Sequence, residues 1–273
     1  MRPNKLDQIK KEQMAQAEKQ GITYQELVGN KNTGTSNRLE NIKHGDKAQG
    51  EGHAMFHQLK AAMEVDLQRI KGEGNLEAKT ALKRDLLPNY MPFITEYMDQ
   101  GHDYPNMLAV QMMIWLFDLG EIEQALQLGL YLLGTPKQDM PPAFNRDIAT
   151  FMADSIYDWA NVELKAERSA SPYLDTWVEF VLGAEFTLAP MVESKGIAML
   201  AKHEMAKGNL EHVVRWCELA EKVNPEGHGT KTMKEKATKQ LANAAAAAAD
   251  NETNLDDNND QESDDDQGDD AEK

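Results

Sequence analysis

An all-α fold is what this 273-residue chain predicts: a helical body of packed antiparallel hairpins with flexible termini. Three observations carry that expectation. Apolar residues recur at three- and four-residue intervals through most of 53–243, the spacing that lays one stripe along a helix. No run rich in β-branched residues alternates with period two, so a sheet is not expected. Glycine and proline fall between the periodic stretches, where they punctuate helices.

The elements follow in order. Residues 5–20 (KLDQIKKEQMAQAEKQ) have helical composition and stop at Gly21. Ile22 to Leu27 can start a second short helix, with Thr23 as N-cap and Glu26 closing the capping box. Residues 1–29 thus form a small helical module, read as a tethered, candidate DNA-binding arm, with a helix–turn–helix as the other option. Residues 30–52 lose nearly all apolar content and read as a flexible linker.

The core body spans 53–243. Met55, Leu59, Ala62, Met63 and Ile70 space a helix from His53 to about Ile70, broken at Gly72 and Gly74. A helix over 75–87 is expected to end near Pro88, because proline disfavours helical backbone at the residue before it. Pro88 and Pro92 then bracket a fresh start that runs through Tyr97. An apolar helix follows from Pro105 to Leu119, and after Gly120 another from Glu121 to Leu133, with two acids suiting its positive end. Pro141–Pro142 precede a helix over about 143–168, and Pro172 starts one through Gly183. Gly208–Asn209–Leu210–Glu211 opens a helix closing at Pro225. The Gly120 and Gly208 breaks resemble the turn of a tetratricopeptide-like helical hairpin, but lie 88 residues apart, not in a tandem array. Residues 244–273 read as a disordered acidic tail, into which the alanine run 244–249 can extend the last helix.

Charge is uneven. The net −17 divides into +3 over 1–50, −12 over 51–194, +3 over 195–249 and −11 over 250–273. Two weakly basic segments therefore flank an acidic middle, which permits a nucleic-acid partner of modest affinity per subunit, multiplied by oligomerisation. Lys5, Lys10, Lys11 and Lys19 form one basic patch, Lys83 and Arg84 (with Lys79) a second, and Lys231, Lys234, Lys236 and Lys239 a third. Such patches hold a phosphate backbone and do not read bases. The structural reading of the second patch is a favourable contact with a helix's negative end. A single cysteine, Cys217, excludes an intrachain disulfide and fits a reducing compartment. The N-terminal MRPNKLDQIKKEQM has no apolar core of a signal peptide. An apolar run such as Met112–Phe117 is far too short for a bilayer, so no membrane association is expected.

Few groups suggest chemistry. Asp147, Asp154 and Asp158, with Glu163 nearby, stack along one helix and could hold Mg²⁺ for nuclease chemistry. The simpler reading is the solvated face of a helix whose other side is Ile148, Phe151, Met152, Ile156 and Trp159. His53 and His57 have chelate spacing but no third ligand in register, and His203, His212 and His228 match no zinc pattern. No phosphate-binding loop and no nucleophile elbow occur. Trp115, Trp159, Trp177 and Trp216 sit in apolar helical contexts and read as packing residues. No catalytic residue, metal site or resident cofactor is assigned.

Lys83–Arg84–Asp85–Leu86–Leu87–Pro88, Pro92, and the sequence from Met113–Ile114–Trp115 through Asp118–Leu119–Gly120–Glu121–Ile122 to Ala125–Leu126 give the chain a family likeness. With Met140–Pro141–Pro142 and the Gly208–Asn209 turn, it resembles the small terminase subunit of P2-type tailed phages over roughly residues 50–235. The resemblance implies a packaging role in the host cytoplasm: recognising viral double-stranded DNA, often as a ring-like homo-oligomer, and regulating a large subunit that carries the ATPase. The family's small subunit is customarily labelled the endonuclease subunit, so intrinsic Mg²⁺-dependent cutting is the alternative. The residues favour a non-catalytic adaptor. Where members of the family end in a basic tail, this chain ends in an acidic one.

Overall fold

The computed structural model describes residues 45–183 and 188–256, with side chains over 54–183 and 188–247. These residues form an all-α bundle: α1 (Gly45–Gly72), α2 (Leu76–Asp99), α3 (Met107–Leu119), α4 (Ile122–Leu133), α5 (Ile148–Lys165), α6 (Tyr173–Gly183), α7 (Pro190–Lys207), α8 (Leu210–Val223) and α9 (Lys231–Asp256). No strand occurs among the described residues.

The core is built around α3. Every residue from Leu108 to Leu116 is buried, so this helix is apolar on all sides and must lie inside the bundle. Asn106 caps it, its side-chain oxygen accepting from the amides of Leu108 and Ala109. On one flank Tyr90 of α2 meets Trp115 edge-to-face at 5.9 Å, and its hydroxyl donates to Asp66 of α1 at 2.7 Å. α4 packs on both α3 and α5: a Cβ at Gly129 would stand 3.3 Å from the Met113 sulfur of α3 and 2.4 Å from the Met152 methyl of α5.

Two boundaries differ from the sequence expectation, and a third follows it. α1 begins at Gly45, inside the stretch read as linker. α2 is continuous through Pro88 and Pro92. Each proline removes one amide from the helical ladder, but Leu86, Tyr90, Ile94 and Tyr97 share a buried face. That burial outweighs two missing bonds. At the other end α9 runs on to Asp256, so the alanine run extends it past residue 244. Residues 1–44 and 257–273 lie outside the described residues, and with them the N-terminal module and most of the acidic tail.

The Gly120 and Gly208 breaks share one geometry. Both glycines are left-handed, with φ 74° and 79°. Glu121 N–H donates to Leu116 O and Asn209 N–H to Glu204 O, each at 3.0 Å, the long bond of a Schellman turn. The next residue has nearly the same angles in both, φ −78° and ψ 64° at Glu121, φ −80° and ψ 66° at Asn209.

Beyond this body, α8 packs on both α7 and α9. Ala201, Val213, Cys217 and Ala237 form a small second apolar cluster there, with Met205 and Met233 against it. Helices α1–α6 thus supply the body, and α7–α9 mount one further helix on its end.

Candidate nucleic-acid interface

Lysine is frequent at the start of α9: Lys231, Lys234, Lys236 and Lys239 stand against one acid, Glu235. The helix is fixed to the body by Ala237, fully buried against α8. Ala237, with Met233 packed beside it, sets the rotation of the helix. Lys231, Lys236 and Lys239 are exposed. Lys234 is turned towards α8, where its ammonium meets Glu221 at 3.0 Å and Glu218 at 3.4 Å. The hydrogen bond to Glu221 raises the Lys234 pKa and lowers that of Glu221. An open groove of about 720 Å³ runs between α9 and the end of α8, lined by His228, Lys231, Thr238 and Lys239, with Glu221 and Glu235 on its walls. His228 is held by Thr230, Nδ1 to Oγ1 at 2.6 Å.

The second patch is placed otherwise. Because α2 does not stop at Pro88, Lys79, Lys83 and Arg84 sit within the helix, away from its negative end. The dipole explanation for them is therefore set aside. Lys83 forms an ion pair with Asp118 at the end of α3 and so ties two core helices together. Arg84 points to solvent. The structure thus brings Lys231, Lys234 and Lys239 to one groove and separates Lys83 from Arg84 by role. Lys5, Lys10, Lys11 and Lys19 lie outside the described residues.

The acidic face of α5 resolves into structural roles. Asp147 is the N-cap, its Oδ1 accepting from Thr150 N–H at 2.7 Å. Asp154 is paired with Arg146. Glu163 takes two bonds from Arg168, each 2.7 Å, and the guanidinium holds its carboxyl below the usual range. Asp158 is exposed. Among the described residues no three His, Cys, Asp or Glu side chains are grouped to hold a metal. The sequence reading missed Arg146 and Arg168 as partners, although both lie within eight residues of the acids they meet. His203 is buried and bonds the Ala160 carbonyl of α5 at 2.9 Å, and Trp115 and Trp177 are core residues. Among the described residues no helix is long and apolar enough to cross a membrane.

With this geometry in view, residues 60–186 match the family described as phage small terminase subunit. That segment runs from α1 through α6 and leaves the α9 lysines outside it. The chain is 29% identical over 144 residues to the "Probable terminase, endonuclease subunit" of Haemophilus phage HP1 (strain HP1c1), covering 52% of this chain and 50% of the relative. It is 26% identical over 102 residues to the "Terminase, endonuclease subunit" of Escherichia phage P2, covering 35% and 41%. The match thus spans half or less of these curated relatives' length. No solved structure matches the chain. Over residues 60–186, the chain is thus similar to the phage small terminase subunit family, whose curated relatives carry the endonuclease-subunit name.

Proposed function

We propose that this chain is the DNA-recognition and adaptor subunit of a P2-type phage terminase. It binds viral double-stranded DNA in the host cytoplasm as a ring-like homo-oligomer and recruits or regulates the large subunit, which supplies ATP hydrolysis and cutting. The observation that carries the reading is the α9 surface: three exposed lysines within nine residues, mounted on a body similar to the phage small terminase subunit family. The helix pairs on either side of Gly120 and Gly208 are read as stacked, tetratricopeptide-like hairpins that stiffen this platform. Arg84 and the N-terminal lysines 5, 10, 11 and 19 are secondary phosphate contacts. Lys83 is a weaker candidate, since Asp118 already holds it.

Anisotropy of labelled phage DNA against salt tests the reading. Each lost phosphate contact lowers the log–log salt slope by about 0.9. Replacing Lys231, Lys236 and Lys239 together with alanine is expected to weaken binding at all sequences and flatten the slope by about 2.7. Unchanged affinity and slope would overturn the assignment to α9. The names of both relatives support the alternative, Mg²⁺-dependent cutting by this chain itself. The decisive assay is cognate DNA with Mg²⁺ in the absence of a large subunit. Cutting by this chain alone, abolished in Asp154→Ala, would replace the adaptor reading.

A further inference from the structure

The lysine groove of α9 has a second candidate occupant within the same chain. Residues 257–273 carry nine acids and one lysine. The α9 lysines have acid partners for only part of their charge: Lys234 is paired, whereas Lys231, Lys236 and Lys239 are exposed and make no ion pair among the described residues. The charges are complementary, and the lengths agree. From Asp256, where α9 ends, Lys239 lies 17 residues back along the helix and Lys231 lies 25, or about 26 Å and 38 Å at a rise of ~1.5 Å per residue. An extended chain covers roughly 3.3 Å per residue. Asp264–Asp266, eight to ten residues past Asp256, thus reach about 26–33 Å, and Asp269–Asp270 about 43–46 Å. A tail that folds back antiparallel to α9 sets its densest acids beside Lys239 and Asp269–Asp270 near Lys231. The end of α9 gives those acids nothing to hold: its last turn has no basic residue, and the sequence from Asp250 to Asp256 adds three acids.

We propose that residues 257–273 dock on the α9 lysine groove of their own chain. The consequence for DNA rests on the function proposed above: the tail's carboxylates then occupy the ammonium groups a phosphate backbone would use, so DNA must displace them. The interaction is electrostatic and exposed, so it weakens as salt rises.

The test uses the full-length protein. Zero-length carbodiimide coupling joins a carboxylate to an amine only where the two touch, and peptide mass mapping locates the joints. Links from the tail acids to Lys231 or Lys239, the exposed lysines of the groove, are expected at low salt, and their loss is expected near 0.5 M. Mixing isotopically light and heavy protein must yield links within one copy. No links to these lysines, or links only between copies, would overturn the proposal. A full-length variant with the nine acids of 257–273 changed to amides should bind DNA about tenfold more tightly at low salt, with the gain fading as salt rises. If the links form but DNA neither displaces them nor binds the variant more tightly, docking stands and the α9 DNA assignment fails. The two ideas are thus separable.

Discussion

Single residues fix the two best-defined turns. At Gly120 and Gly208 a Cβ meets nothing within 4 Å, so an alanine is opposed only by the left-handed backbone. Gly120→Ala and Gly208→Ala should each cost about 1 kcal/mol, read as a lowered Tm in calorimetry. Glu204 adds a pH dependence. Burial pushes its carboxyl up, but bonds from Lys207 at 2.8 Å and Asn209 at 2.7 Å, joined by His212, outweigh it and hold the pKa below the ordinary value. A depressed folded-state pKa stabilises above the unfolded value and loses that contribution as pH falls through the folded one. Glu204→Gln should therefore lower Tm at neutral pH, and the gap to the parent should close as pH drops below about 4. A gap constant from pH 7 to pH 3 would disprove the electrostatic account.

At the scale of elements, the packing of α4 on α5 is tightest at Gly129. Alanine there displaces the flexible ends of Met152 and Met113, whereas Gly129→Leu must force the helices apart, at about 1–3 kcal/mol by chemical denaturation. Pro88→Ala should act oppositely, restoring a hydrogen bond to the Arg84 carbonyl and raising Tm without moving the core. Much of this level was legible beforehand. Helical periodicity, the apolar α3 and both glycine turns follow from local pattern, which is where local physics dominates. The continuity of α2 was not legible, because proline's penalty is local and the burial of Tyr90, Ile94 and Tyr97 is tertiary. The same limit hid the roles of the α5 acids: i, i+7 spacing shows a shared face, but only the folded chain reveals Arg146 beside Asp154. The candidate site was partly legible. The lysines of α9 stood out in the sequence, whereas the diversion of Lys234 to Glu218 and Glu221 depends on how Ala237 rotates the helix.

For the whole molecule, charge is separated by architecture. The acidic middle supplies the body, and the lysines sit on a helix carried at its end, so the DNA contact proposed above would stand clear of the like-charged bulk. Ala237→Asp tests this arrangement. It buries a carboxylate in the small α7–α9 cluster and should detach α9, lowering DNA affinity while calorimetry shows the main unfolding transition largely retained. Loss of that transition would mean that α9 is integral to the body.

The exposed distal half of α9, beyond the part that Ala237, Met233 and Lys234 hold to α8, also divides the protein into two clocks. Amides of α3, enclosed on every side, can exchange with deuterium only when the entire body opens. Those of α9 beyond Leu241, where Ala242 to Ala247 are all exposed, need only the fraying of one helix. Exchange should therefore finish at the distal half of α9 before it begins in α3. A tail or a DNA strand that grips the lysines would slow the α9 clock and leave the α3 clock unchanged.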